Sequence, residues 1–316
     1  MTFSRDRMPP LVFSIPGYAH LGEDICREID GEPGDVERTH FPDGERYQRL
    51  VQSVENRDVV LVGGTVDDTS TLALYDLACA ISKYGARKLS IVVAYFGYST
   101  MERAMKPGEV VTAKTRARLL STIPPASYGN SILLLDLHSP GIPHYFEGGV
   151  TALHVYTQTV LTELIPQITQ GDFVLASTDA GRAKWVESLA NQMGVEAAFI
   201  SKRRLSGTET RIAAMNADVS GRTVVIYDDM IRSGGSLISA AEAYRAAGAT
   251  RLFAVCTHGV FTEGSFSRLR DSAQFDRIVA SDSHPTAVQY EPDGLLVFRT
   301  AHLFAEHLPQ GPAGQH

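Results

Sequence analysis

Short apolar runs alternate with helical periods along most of the chain. Leu11 to Ile15, Asp58 to Val62, Lys88 to Tyr95, Ser131 to Leu135, Phe173 to Ala176, Thr223 to Tyr227 and Leu252 to Cys256 are such runs. Several, such as Ile91 to Ala94, are continuously apolar, which predicts strands buried on both faces by helices. Leu74, Leu77, Ala78 and Ile81 recur at i, i+3, i+4, i+7 within a helix predicted over Leu72 to Lys83. Ala113, Ala117 and Leu120 share one side of a helix over Thr112 to Ile123, as do Leu237, Ala241 and Tyr244 over Leu237 to Ala247. Shorter helices are read at His20 to Ile29, at Tyr156 to Ile168 and around Trp185, and Ala197 to Ser201 as a further strand. Strands that alternate with helices make an α/β protein. The 316 residues suggest two domains. We expect one over 9–153 and a second over 154–290, followed by a closing segment and tail over 291–316.

The stretch Thr223 to Ser236 organises the rest. A β-rich run ends in Asp228 and Asp229, a Gly234-Gly235 loop follows, and a helix opens. Ligands of open α/β sheets bind at the carboxyl ends of strands. The glycines let a ligand approach the backbone. Successive amides at a helix N-terminus attract an anion, and Ser233 and Ser236 add hydroxyl donors. The two carboxylates suit sugar hydroxyls or a hydrated Mg²⁺. A phosphorylated pentose satisfies both halves; a plain strand-loop-helix turn with Asp and Ser caps is the bland reading.

Other strand ends carry candidate chemistry. Phe41, Asp43 and Glu45 lie in a Pro-Asp-Gly turn that is either a simple hairpin or a base-binding loop. Arg103 and Lys106 follow the strand ending at Tyr95 and could meet a nucleotide phosphate. Asp136-Leu137-His138 places imidazole beside carboxylate, able to serve a cation or a triphosphate. Asp179 reads equally as an N-cap and as part of a metal or diphosphate loop. Lys202, Arg203 and Arg204 precede a polar, Gly-containing loop that can close over a ligand. A net charge of −7 argues against a general nucleic-acid or membrane surface. Cys26, Cys79 and Cys256 are widely spaced, which fits free thiols in a reducing cytoplasm.

These motifs, taken in order, resemble ribose-phosphate diphosphokinases over about Leu11 to Phe304. The acid pair and Gly-Gly loop alone resemble type I phosphoribosyltransferases equally. The resemblance implies two type I phosphoribosyltransferase-like domains, each a mainly parallel sheet flanked by helices. It implies diphosphoryl transfer from ATP to ribose 5-phosphate with Mg²⁺. It assigns Phe41, Asp43, Glu45, Arg103 and His138 to the nucleotide, His138 and Asp179 to the metal, and Lys202 and Arg204 to the migrating group. It gives Asp228, Asp229, Arg232, Ser233, Gly234, Gly235 and Ser236 to ribose 5-phosphate. It also implies a homo-oligomer in which the Phe41 loop serves a neighbour's site. Class I members carry Y-F-P-Y-A-R-Q-D where Tyr95 to Glu102 stands, so Thr100 and Glu102 depart from that pattern, and Arg232 replaces a class I Asp. Thr100 to Arg103, Gly108 to Lys114 and Thr257-His258-Gly259-Val260-Phe261 resemble the plant-type class II enzymes instead. That class implies weak phosphate dependence, little ADP allostery and a looser choice of nucleotide. A phosphoribosyltransferase and a catalytically silent regulatory homologue are the rivals.

Overall fold

The structure is a computed structural model that describes residues 8–178, 180–204 and 210–312, with 180, 201–204 and 210–215 described by backbone alone. The chain forms two compact units, one of residues 1–156 with 299–316 and one of Thr157–Phe298.

The first unit contains β1 (Leu11–Ser14), α1 (Ala19–Glu28), β2 (Glu32–Pro33), β3 (Val36–His40), β4 (Arg46–Leu50) and β5 (Asp58–Gly63). It continues with α2 (Asp68–Lys83), β6 (Lys88–Val93), α3 (Thr112–Ser121), β7 (Asn130–Leu135) and β8 (Val150–Val155). Its sheet runs β2-β1-β5-β6-β7-β8, parallel throughout, while β3 and β4 form a separate antiparallel ribbon. All six residues of β5 are buried, as its unalternating sequence requires. Helix α2 begins earlier than its apolar period, because Asp67 caps it by accepting from the Ser70 amide at 2.7 Å.

The second unit contains α4 (Gln158–Thr169), β9 (Phe173–Ser177), α5 (Ala183–Met193), β10 (Glu196–Ala198), β11 (Ile200–Arg204) and β12 (Thr210–Met215). Then come β13 (Thr223–Ile231), α6 (Gly235–Ala246), β14 (Arg251–Gly259), α7 (Ser265–Asp271), β15 (Arg277–Ser281), α8 (Pro285–Gln289) and β16 (Leu296–Phe298). Its parallel sheet runs β10-β9-β13-β14-β15-β16, with β11 and β12 as a ribbon. The closing helix α9 (Ala301–Ala305) belongs to the first unit.

Strand alternation divides the second unit's core in two. Val224 and Ile226 of β13 pack with Leu237, Ala241 and Tyr244 of α6. Val225 and Tyr227 pack with Leu161 of α4 and Val186 and Leu189 of α5.

Three expectations need correction. The strand expected over Ala197 to Ser201 is two. Asn216 binds the gap between them, accepting from the Phe199 amide at 2.5 Å and donating to the Ala197 carbonyl at 3.2 Å. Lys202 and Arg204 therefore have strand backbone within the ribbon and not the loop backbone expected for them. Gly311, within the expected closing segment and tail, is buried, and its amide donates to the Ile29 carbonyl at 2.7 Å. The helices α7 and α8 were not anticipated. Among the described residues no helix is long and apolar enough to cross a membrane.

Candidate active site

Strand β13 runs through its two acids to Ile231, so Asp228 and Asp229 leave on opposite faces of the sheet. Asp229 is 4% exposed and forms an ion pair with Arg182, which lies just ahead of α5. Asp228 is partly exposed; the Thr178 hydroxyl donates to its Oδ2 at 3.0 Å, and the Asp229 amide to its Oδ1 at 3.0 Å. Burial, and next the charge of Asp229, push the Asp228 carboxyl up to about 7, while Thr178 and Arg182 pull it back. Arg182 and Thr178 were missed by sequence reasoning. The signal was there: Thr178 leaves β9 and Arg182 opens the next helix, beside a strand whose alternation had to separate the acids.

The backbone beneath the pair is held firmly. Trp185, the sole tryptophan, stacks on Tyr227 with ring centroids 4.0 Å apart. The Tyr227 hydroxyl lies 2.9 Å from the Thr257 hydroxyl, which lies 3.1 Å from that of Thr157. Burial pushes the Cys256 thiol, paired in register with Asp228, well up, so it stays protonated.

The Arg232 to Ser236 loop follows at the same strand end, with Arg232, Ser233, Gly235 and Ser236 exposed. Gly234 has φ +75° and caps α6; a Cβ there would meet Leu269 at 2.7 Å. Gly235 differs, since the nearest atom to a Cβ built on it is Ser233 Oγ at 4.0 Å. Its bareness answers no internal packing need and leaves backbone open to a ligand. The loop can hold an anion on backbone amides and hydroxyls while Asp228 accepts from adjacent hydroxyls. The expected metal residue Asp179 and the loop 205–209 lie outside the described residues, as do the side chains of Lys202 and Arg204.

The first unit gathers a different set. Phe41 is 52% exposed and meets Tyr47 edge-on at 6.2 Å. It sits on a hairpin turn closed by Phe41 and Glu45 backbone at 2.8 Å, and Asp43 and Glu45 are also exposed. The stretch is a hairpin, and its aromatic ring is displayed. Beyond β6, Thr65 fixes the loop: the Gly97 amide donates to Thr65 Oγ1 at 2.8 Å, and a Cβ at Gly97 would lie 2.0 Å from the Thr65 carbonyl. A proline, as in the class I pattern, could not make that bond. Arg103 is exposed and pairs with Glu102 at 3.3 Å. Asp136 is 5% exposed with φ +33° at the end of β7, and His138 beside it is half-buried. Among the described residues no three His, Cys, Asp or Glu converge as a metal cage.

An acid pair and an open Gly-Ser loop at the carboxyl end of a parallel strand define a phosphoribosyltransferase-like unit, and the chain has two units on one strand plan. Residues 11–123 match the family described as the N-terminal domain of ribose phosphate pyrophosphokinase, and residues 188–298 the phosphoribosyl synthetase-associated domain. The chain is 35% identical to a ribose-phosphate pyrophosphokinase of Methanopyrus kandleri, covering 87% of this chain and 92% of that protein. It is 30% identical to one from Gloeobacter violaceus, with 93% and 88% covered. The crystal structure of phosphoribosylpyrophosphate synthetase from Mycobacterium smegmatis superposes with a TM-score of 0.81 at 25% identity, covering 94% of this chain and 97% of that one. The chain belongs to the ribose-phosphate pyrophosphokinase family, and it is an enzyme.

Proposed function

We propose that the enzyme moves the β,γ-diphosphoryl group of ATP to the 1-hydroxyl of ribose 5-phosphate, giving phosphoribosyl diphosphate and AMP. The observation that carries this is the open backbone at Gly235, downstream of an acid pair of which only Asp228 is partly exposed. The second unit takes the sugar. Ser233 to Ser236 hold the 5-phosphate, with Arg232 exposed beside them in the loop, and Asp228 orients the ribose. Asp229, expected to share that role, is buried on the opposite face against Arg182. The first unit takes the nucleotide through Arg103 and His138, and Phe41, Asp43 and Glu45 recognise the base. The 1-hydroxyl oxygen attacks the β-phosphorus, the bond from that phosphorus to the α-phosphate oxygen breaks, and AMP leaves as the hydroxyl proton is given up. Lys202 and Arg204 stabilise charge on the migrating group, the part of the reaction where fixed cations matter most.

Mg²⁺ fits the donors present, since it binds through one or two protein groups plus substrate phosphates and keeps several waters. His138 and Asp179 would hold it with the triphosphate, where it would neutralise phosphate charge. The buried Asp136 next to His138 is the kind of sparse oxygen donor such a site uses.

The exposed Phe41 ring supports an oligomer in which the hairpin serves a neighbouring subunit. Mixing a Phe41→Ala protein with a Lys202→Ala protein then restores part of the activity that each lacks. Thr100, Glu102, Arg232 and Gly97 depart from the class I pattern and support class II behaviour, with activity independent of added inorganic phosphate and several nucleoside triphosphates accepted. Three free thiols support a cytoplasmic location. Incubation with ribose 5-phosphate, ATP and Mg²⁺ tests the main reading: AMP must appear in step with phosphoribosyl diphosphate. A protein that releases no AMP but consumes phosphoribosyl diphosphate with a base would be a phosphoribosyltransferase, and one that does neither a regulatory homologue.

A further inference from the structure

The geometry points to His154 as a positioning residue for nucleotide binding: its Nε2 fixes the backbone of Asp136-Leu137-His138. The Leu137 amide donates to His154 Nε2 at 2.9 Å across from the neighbouring strand β8. An accepting Nε2 puts the ring proton on Nδ1. The ring packs against Tyr156, with centroids 4.0 Å apart and planes tilted by 30°.

The second unit shows why such an acceptor is needed. Asp282-Ser283-His284 leaves β15 as Asp136-Leu137-His138 leaves β7. The first residue of each triplet donates its amide to the last carbonyl of the adjoining strand, Asp136 to Val155 at 2.9 Å and Asp282 to Phe298 at 3.0 Å. The middle amide must then find a partner, since a backbone donor withdrawn from water without one is costly. In the second unit Ser281 supplies it, accepting from the Ser283 amide at 3.1 Å. The residue equivalent to Ser281 in the first unit is Leu135, which cannot accept. The residue equivalent to His154 in the second unit is Val297, by the strand registers. The acceptor has moved from the strand itself to its neighbour, and in the first unit it comes from His154. Asp136 holds φ +33°, a conformation unfavourable to L side chains, so the turn it begins needs an external tie.

This inference rests on the reading that His138 meets the nucleotide, and the experiment separates the two. KM for ATP and for ribose 5-phosphate would be measured for the wild type, His154→Phe, His154→Gln and His138→Ala, with thermal melting as a fold check. His154→Phe keeps a ring against Tyr156 but has no acceptor; Gln keeps an acceptor at about the reach of Nε2 and loses the ring. The expected result is an ATP KM raised about tenfold in His154→Phe. His154→Gln should lie near wild type, and the ribose 5-phosphate KM should be unchanged in both. Should His154→Phe not fold, His154→Asn takes its place, because its amide stops short of Leu137. An unchanged ATP KM in the acceptor-less variant, equal losses with Gln, or a matching rise in the sugar KM would each overturn the role. A His138→Ala protein with unaltered ATP KM would instead remove the nucleotide reading.

Discussion

The two units share one plan but open it at different strand ends. Counted within each unit and without the ribbon, both sheets run second, first, third, fourth, fifth, sixth, with the ribbon inserted after the second strand. At the fifth strand the first unit leaves His138 half-buried, whereas Asp282 and His284 of the second are 0% and 4% exposed. His284 caps α8 there, its Nδ1 accepting from the Thr286 amide at 3.2 Å. Burial, and then His258, push it down to about 3, so it stays neutral. The same Asp-x-His presents a half-buried histidine in one unit and a helix cap in the other. At the third strand the reverse holds. The first unit ends in Gly63-Gly64, where a Cβ on Gly64 would lie 2.0 Å from the Tyr18 hydroxyl; the second ends in the acid pair and the open Gly235. Residue type does not separate these cases. What does is whether neighbouring side chains fill the space over the strand end.

That comparison can be broken in several places. The largest effect is expected at Arg182→Met, which removes the Arg182 guanidinium from the buried Asp229 carboxylate. Such losses cost about 3–5 kcal/mol, so denaturant melts should show a much less stable protein. A near-wild-type midpoint would mean that Arg182 does not compensate Asp229. Next, Lys202→Ala should lower turnover by roughly a hundredfold to a thousandfold while ribose 5-phosphate still binds; unaltered turnover removes its role.

The glycines sharpen the contrast further. Gly64→Ala should destabilise the first unit by about 1–3 kcal/mol through overpacking on Tyr18. Gly235→Val should leave stability unchanged and abolish sugar binding. If both lost stability alike, Gly235 would be a packing residue and not an open backbone.

A last test concerns pH. Asp228 titrates at about 7 in the fold against 3.8 in an unstructured chain. A raised value means that the folded protein holds the proton more tightly. Its stabilising contribution is thus complete below about pH 4 and fades as pH climbs towards 7. Sugar affinity moves the other way, improving as pH rises through 7 and frees the carboxylate to accept from hydroxyls. Asp228→Asn should flatten both dependences relative to wild type, read by melting curves and sugar titrations.

Much of this was legible in the sequence. The buried runs of β5, β6, β7 and β14 show the parallel sheets directly, and the Gly-Gly run marks the turn from β13 into α6 that carries the candidate anion site. The run before the acids was expected to end at Tyr227, because Asp is a poor strand former. Pairing of Asp228, Met230 and Ile231 with β14 carries the strand on, and with it comes the facial separation of the acids. The split at Phe199 depends on Asn216, 17 positions away, which no local pattern reports. The internal repeat stayed hidden because Asp-Leu-His and Asp-Ser-His share only two letters. Their equivalence shows in hydrogen bonds to the adjoining strand. Side-chain pairing of the Arg182 and Asp229 kind is likewise a product of the packed sheet.

Crystals grown with ribose 5-phosphate put the central claim to its hardest test. The account predicts phosphate oxygens on the amides and hydroxyls of Ser233 to Ser236 and ribose hydroxyls on Asp228. A sugar phosphate bound instead at Asp136 and His138, with the Gly235 loop bare, would contradict it.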